Sequence, residues 1–192
     1  MEQNPFKRFA DVFAKAEQQV PKDANAMVVS SVDATGRPHS RVVLLKGFDE
    51  RGFVFYTNLL SQKGQQLLAQ PFASLNFFWR ELDQQVRIEG SVERVRDGEA
   101  DAYFATRPRQ SQLGAWASQQ SQALSSREEL EARLVYFEAL YENQPVPRPP
   151  HWSGLRVRPD RFEFWEGRPS RLHDRWTYLR QEEGWKTQRL YP

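Results

Sequence analysis

Residues 26–58 read AMVVSSVDATGRPHSRVVLLKGFDERGFVFYTN. β-branched and aromatic residues fill three runs, 26–33, 39–47 and 53–58. The gaps hold ATGRP and FDERG, whose Gly, Pro and Asp favour turns. The pattern predicts a β-meander of three antiparallel strands. Val42 to Leu45 form an unbroken apolar run, so the middle strand is expected to bury both faces. Arg41 and Lys46 close that run at its two ends, and burying a charge is costly unless it is paired or bound to an anion. Each cation therefore either snorkels to solvent at the rim of the sheet or faces an anionic ligand.

On the N-terminal side, residues 4–19 carry Phe6, Phe9, Val12, Phe13 and Ala16 at three- and four-residue spacing, which is one face of a helix. After the meander, SQKGQQLLAQ (61–70) reads as a short helix capped by Ser61. Two strands follow, 72–79 and 84–95. A helix over 97–107 is expected to start on Asp97 as its cap and to stop before Pro108, where a second helix begins. Ser126 and Glu129 form a capping box for a helix over 125–142. NQPVPRPPHWSG is a loop. Three strand signals close the chain, around 155–158, 161–166 and 175–190, the last a hairpin through QEEG. An antiparallel sheet interrupted by helices is α+β, and so many strands point to a partly closed barrel. The expected organisation is one domain over 1–192: a helix in 1–20, the main strands in 26–95, a helical segment in 97–142 and closing strands in 154–192.

Composition narrows the chemistry. The 192 residues include no cysteine, which excludes a disulfide framework, thiol catalysis and zinc-ribbon sites. The three histidines, His39, His151 and His173, lack metal-ligand spacing, so no metal is expected. A net charge of +2 without a basic tail or a run of like charges gives no case for nucleic acid. No apolar run reaches the roughly 18 residues of a membrane span, and the N-terminus lacks a signal-peptide core. The simplest expectation is a cytoplasmic protein with no membrane partner.

Two places could bind anions. Tyr56, Thr57 and Lys63 gather hydroxyls and a cation at the start of the 61–70 helix, and helix N-termini bind phosphate. Tyr103, Arg107 and Ser111 recur every four residues, with Pro108 leaving Arg107 at a helix end and Ser111 in the first turn of the next. The alternative puts Arg107 on helix carbonyls and Tyr103 in the core. In RLHDR (171–175), Arg171, His173 and Arg175 alternate, so an extended backbone would set all three on one face. Such a face is either a solvated edge strand or a seat for something anionic and planar. The chain has no Gly-x-Gly-x-x-Gly after a strand, no Walker loop and no Gly-x-Ser-x-Gly elbow.

The 26–58 stretch, then SQKG, RPRQSQLGAWASQQS, FEFWEGRPSRLHDR and the closing RLYP, taken in that order, resemble the pyridoxamine (pyridoxine) 5′-phosphate oxidase family over nearly the whole chain. The resemblance implies an antiparallel, Greek-key-like split β-barrel with flanking helices, working as a homodimer with FMN between the subunits. It implies oxidation of pyridoxamine or pyridoxine 5′-phosphate by O₂ to pyridoxal 5′-phosphate and hydrogen peroxide. By matching position, FMN would be held by Arg41, Val42, Val43, Leu44, Leu45, Lys46, Tyr56, Thr57, Gln62, Lys63, Gln85, Gln120, Ser121, Trp165 and Arg175. The substrate phosphate would fall to Lys46, Tyr103, Arg107 and Ser111, and its ring to the catalytic pair Arg171 and His173. Two departures stand out. Gln62 lies where many members place an arginine, a loss of about 1.5–3 kcal/mol if that bond were buried. Members also carry an Arg and a Tyr ahead of the first helix that help close the site, and a sequence starting almost at the helix is expected to close it less well. An oxidase of the same fold acting on another ring, or a non-catalytic flavin or pyridoxal phosphate carrier, are the competing readings.

Overall fold

The computed structural model describes residues 2–192. Helix α1 (Pro5–Gln19) starts on Asn4, whose side chain accepts the backbone N–H groups of Phe6 and Lys7. As the spacing predicts, Phe6, Phe9 and Ala16 are buried. The Phe9 ring meets Phe48, Phe53 and Phe77 at centroid separations of 4.8–5.2 Å, so α1 plugs the sheet with aromatic edges and faces.

The strands are β1 (Ala26–Val32), β2 (Pro38–Leu44), β3 (Gly47–Asp49), β4 (Gly52–Asn58), β5 (Phe72–Trp79), β6 (Gln84–Arg94), β7 (Trp152–Glu166), β8 (Asp174–Arg180) and β9 (Trp185–Leu190). The curled antiparallel sheet runs β2-β1-β5-β6-β7-β4-β3, and β8 joins β7 to β9. Helix α2 (Gln62–Ala69) packs beside it, while α3 (Asp97–Ala105), α4 (Arg109–Ala117) and α5 (Arg127–Leu140) flank it. This is the α+β split barrel. Among the described residues, no helix is long and apolar enough to cross a membrane.

Several expectations need correcting. The 26–58 stretch is not a simple meander. Its middle run breaks after Leu44; the FDERG turn does join β3 to β4 as an antiparallel pair, but the other neighbour of β4 is β7 and not β2. One bond, Lys46 N–H to the Val54 carbonyl at 2.8 Å, marks where the two halves meet. Nor does β2 bury both faces. It lies at the end of the sheet order, paired only with β1, and its apolar run leaves Val42 65% and Leu44 37% exposed in the single chain.

The two strands expected at 155–158 and 161–166 are one, because Pro159 sits where the β6–β7 register shifts between Glu89 and Gly90. A bulge tolerates a residue that cannot donate to the ladder. Gly90 makes the close approach possible, since a Cβ there would stand 2.0 Å from the Arg158 carbonyl oxygen. That single long strand pairs with β4 through its first half and with β8 through its second.

Helix caps differ in detail. Ser61 caps α2 as expected. The capping position of α3 is Arg96, not Asp97, whose carboxylate instead binds Arg94 and Arg148. Ser126 accepts the Glu129 N–H, but the Glu129 carboxylate returns to Ser125.

Candidate active site

A cavity of about 490 Å³ opens between the β2 end, β4 and helices α2 to α4. It gathers Val42, Val43, Leu44, Lys46, Tyr56, Thr57, Lys63, Tyr103, Arg107, Ser111 and Gln120, eleven of the residues singled out from sequence. Three cations therefore face one space, and no carboxylate lines it among the described residues.

Each cation is held without an acidic partner. Lys63 Nζ donates to the Gln120 Oε1 at 2.6 Å and to Ser61 Oγ at 3.4 Å. Burial, with Arg41 nearby, pushes its ammonium below the ordinary lysine range. Arg107 projects from just past the end of α3, where Pro108 stops the helix. Its guanidinium lies 4.8 Å from the centroid of Trp152 and 5.5 Å from that of Phe104. Its Nη1 is buried with no hydrogen-bond partner, and burial lowers its pKa. A buried donor without a partner is costly unless a ligand supplies one. Tyr56 stacks on Tyr103 at 4.0 Å and on Trp152 at 5.1 Å, forming an aromatic wall, and burial raises the Tyr56 phenol.

The donor set fits a phosphate-bearing aromatic group: uncompensated cations, hydroxyls from Thr57 and Ser111, and stacked rings. Arg41 is beside this space but turned to its own chain. Its guanidinium donates to Ser31 Oγ at 2.7 Å, the His39 carbonyl at 3.1 Å and Gln66 Oε1 at 3.1 Å. These partners are all neutral, so its charge too lacks a counter-ion. Leu45 faces the core at 4% exposure. Gln62 is exposed on α2, and Ser121 is exposed with φ +72°.

The remaining residues form a second group that does not line the cavity. Gln85 stands opposite Trp165 across β6 and β7, and Trp165 opposite Arg175 across β7 and β8. The Trp165 and His173 rings lie 4.6 Å apart. Arg175 is bound to Glu163 through Nε at 2.9 Å and to the Tyr191 carbonyl through Nη1 at 3.1 Å. RLHDR is not extended. Pro169 to Arg171 make a tight turn in which Ser170 and Arg171 are left-handed, φ +58° and +62°. Strand β8 starts only at Asp174, so Arg171, His173 and Arg175 do not share a strand face. Two left-handed non-glycine residues in succession carry strain of about 1–2 kcal/mol each.

Sequence reading passed over Trp152, Asn58 and Ser118, which also line the cavity. Trp152 was hidden in the proline-rich loop, although it opens β7. The signal available was a tryptophan two residues before Gly154, whose missing side chain lets Tyr56 approach. A Cβ at Gly154 would sit 2.8 Å from the Tyr56 ring.

Comparison with known proteins brings in the chemistry these features serve elsewhere. Residues 13–141 match the family model described as pyridoxamine 5′-phosphate oxidase, and 152–192 match the pyridoxine 5′-phosphate oxidase C-terminal dimerisation region. A pyridoxine/pyridoxamine 5′-phosphate oxidase of Myxococcus xanthus is 61% identical over 98% of this chain and 92% of its own. One from Rubrobacter xylanophilus is 54% identical over 98% and 87%. PhzG from Burkholderia lata, solved in complex with tetrahydrophenazine-1-carboxylic acid, is 32% identical with a TM-score of 0.94, covering 100% of this chain and 94% of that one. An FMN-binding, pyridoxamine 5′-phosphate oxidase-related protein of Nostoc punctiforme shares the fold at 19% identity, TM-score 0.79, over the full length of both.

Proposed function

The chain belongs to the pyridoxamine 5′-phosphate oxidase family, and from that membership we propose that it oxidises pyridoxamine or pyridoxine 5′-phosphate to pyridoxal 5′-phosphate with FMN and O₂. The observation that carries the site assignment is the cavity with three cations, no carboxylate, and an Arg107 Nη1 buried without a partner. Lys46, Tyr103, Arg107 and Ser111 hold the substrate phosphate. Lys63, Thr57, Gln120 and the β2 end hold the flavin, and Arg41 adds charge from behind.

When bound, FMN would supply the two-electron acceptor and the route from substrate to O₂. The task left to the protein is to hold the substrate carbon against it and to keep water out. Arg171 and His173 address the pyridine ring, one as a fixed positive charge and the other as a hydrogen-bond donor at the ring oxygen. The division of these residues into two groups within one chain supports a homodimer in which each cavity is completed by the partner's β7–β8 loop. Val42 and Leu44, which line the cavity and stay exposed in the single chain, fit the same reading. A cytoplasmic setting completes the proposal.

Adding FMN and then pyridoxamine 5′-phosphate in air, with pyridoxal 5′-phosphate and peroxide followed together, tests the reaction. Formation of both in equal amounts is the expected result. A protein that binds no flavin, or binds it and forms no product, overturns the proposal. Comparing rates with and without the 5′-phosphate separates it from an oxidase of a phosphate-free ring such as the phenazine held by PhzG.

Lys63→Met should weaken FMN about 10-fold by loss of one charge-assisted bond. Because burial depresses the Lys63 pKa, the attraction is full below that pKa and is lost as pH rises through it. FMN affinity should thus fall on the alkaline side before an ordinary lysine would deprotonate. Fluorescence titration across pH reads both effects, and an affinity flat with pH in wild type would remove Lys63 from the phosphate site.

A further inference from the structure

His173 is fixed by an atom its own side chain does not supply. The backbone N–H of Arg168 donates to His173 Nδ1 at 3.2 Å. An imidazole nitrogen that accepts a hydrogen bond bears no proton, so the neutral ring carries its proton on Nε2. That arrangement depends on where residue 168 is held, and the loop around it is strained at Ser170 and Arg171.

Two devices hold it. At the start of the loop, Gly167 N–H donates to the Asp83 carbonyl at 2.8 Å. Gly167 lies so close to Asp83 that a Cβ would fall 1.8 Å from its carboxylate oxygen. At the other end, the Arg168 side chain reaches back across the turn to Asp174 through Nε at 2.8 Å and to Glu166 through Nη2 at 3.1 Å. Asp174 is itself tied to Arg189 on β9. The side chain thus clasps the two strand ends that the loop joins, and the same residue's N–H fixes the imidazole.

We propose that Arg168 is a positioning residue of this site: its clasp on Glu166 and Asp174 holds its backbone N–H on His173 Nδ1, so that the imidazole meets the substrate as an Nε2–H donor. The role rests on the assignment of His173 to the substrate ring. It gives the strained turn a purpose, since a loop relaxed out of the left-handed region would carry Arg171 and His173 away together. The Arg168 side chain is 48% exposed, so its replacement leaves the core untouched and its effect is on the geometry of the loop.

The test uses the FMN-loaded protein labelled with ¹⁵N-histidine, in wild type, Arg168→Ala and Arg168→Lys. Two-bond ¹H–¹⁵N spectra at a pH near 8, where imidazoles are neutral, report the tautomer of His173 without any turnover. Wild type should show one species protonated at Nε2, and Arg168→Ala a mixture of both tautomers. With pyridoxamine 5′-phosphate, kcat of Arg168→Ala should fall about 10-fold through misplacement of the ring, while KM and FMN affinity stay within about twofold because the phosphate pocket is intact. Arg168→Lys, able to restore one ion pair, should recover most of the rate. A wild-type His173 protonated at Nδ1, or an Arg168→Ala protein with unchanged tautomer and kcat, overturns the proposal. Loss of flavin from Arg168→Ala does so as well. A wild type that forms no pyridoxal 5′-phosphate would sink the oxidase reading instead, and the spectra would still judge the clasp.

Discussion

Replacing Arg107 with methionine should raise the KM for pyridoxamine 5′-phosphate about 100-fold, equivalent to about 2.8 kcal/mol, and leave the apoprotein at least as stable as wild type. Both halves follow from one geometry. Nη1 of Arg107 is buried with no partner, which is a cost that folding carries and a phosphate would remove. Loss of charge-assisted bonds to a phosphate is worth about 1.5–3 kcal/mol, which sets the size of the KM change. Methionine fills the same path between Phe104 and Trp152 and makes its own sulfur contacts with their rings, without a donor to satisfy. What it gives up is the cation over the Trp152 face, and burial already works against that charge. Steady-state kinetics with phosphorylated and dephosphorylated substrates, beside thermal unfolding of the apoprotein, measure the two halves. An unchanged KM would put the phosphate elsewhere. A marked fall in melting temperature would make Arg107 a structural cation held by its rings.

That residue also shows what the sequence can reveal. Tyr103, Arg107 and Ser111 were readable because their relation is local: a four-residue spacing and a proline fix two helix ends within a dozen residues. The α1 face and the Ser61 cap were readable for the same reason. Val42 and Leu44 were not, because an apolar run looks identical whether a strand is covered by its own core or left open at the end of a sheet. The unity of β7 was hidden by Pro159, whose tolerance depends on Gly90 in a strand distant in sequence. RLHDR misled by its alternation. The left-handed turn at Ser170 and Arg171 has no glycine to announce it, and only the contacts of Arg168 and Gly167 explain how such a turn is held.

Glu163→Ala should cost about 3 kcal/mol of stability. Its side chain is 4% exposed, and it faces Arg175 at 2.8 Å with Arg87 and Arg161 each at 3.5 Å. Three guanidiniums share this carboxylate, while Glu89 assists only Arg87 and Arg161. Removing the buried partner of a pair typically costs 3–5 kcal/mol because a charge is left without compensation. Here the arginines keep 27–38% exposure, so water screens the loss and the lower end applies. Glu163→Gln keeps an acceptor for Arg175 Nε and should lose about half as much. Denaturant unfolding of the two apoproteins measures this, and a loss below about 1 kcal/mol for alanine would mean that solvent already satisfies the arginines. The same carboxylate orients Arg175, which the flavin assignment uses. If that assignment holds, Glu163→Gln should weaken FMN binding by more than its modest effect on folding accounts for. If FMN affinity is untouched while stability falls, Arg175 belongs to the sheet and not to the flavin.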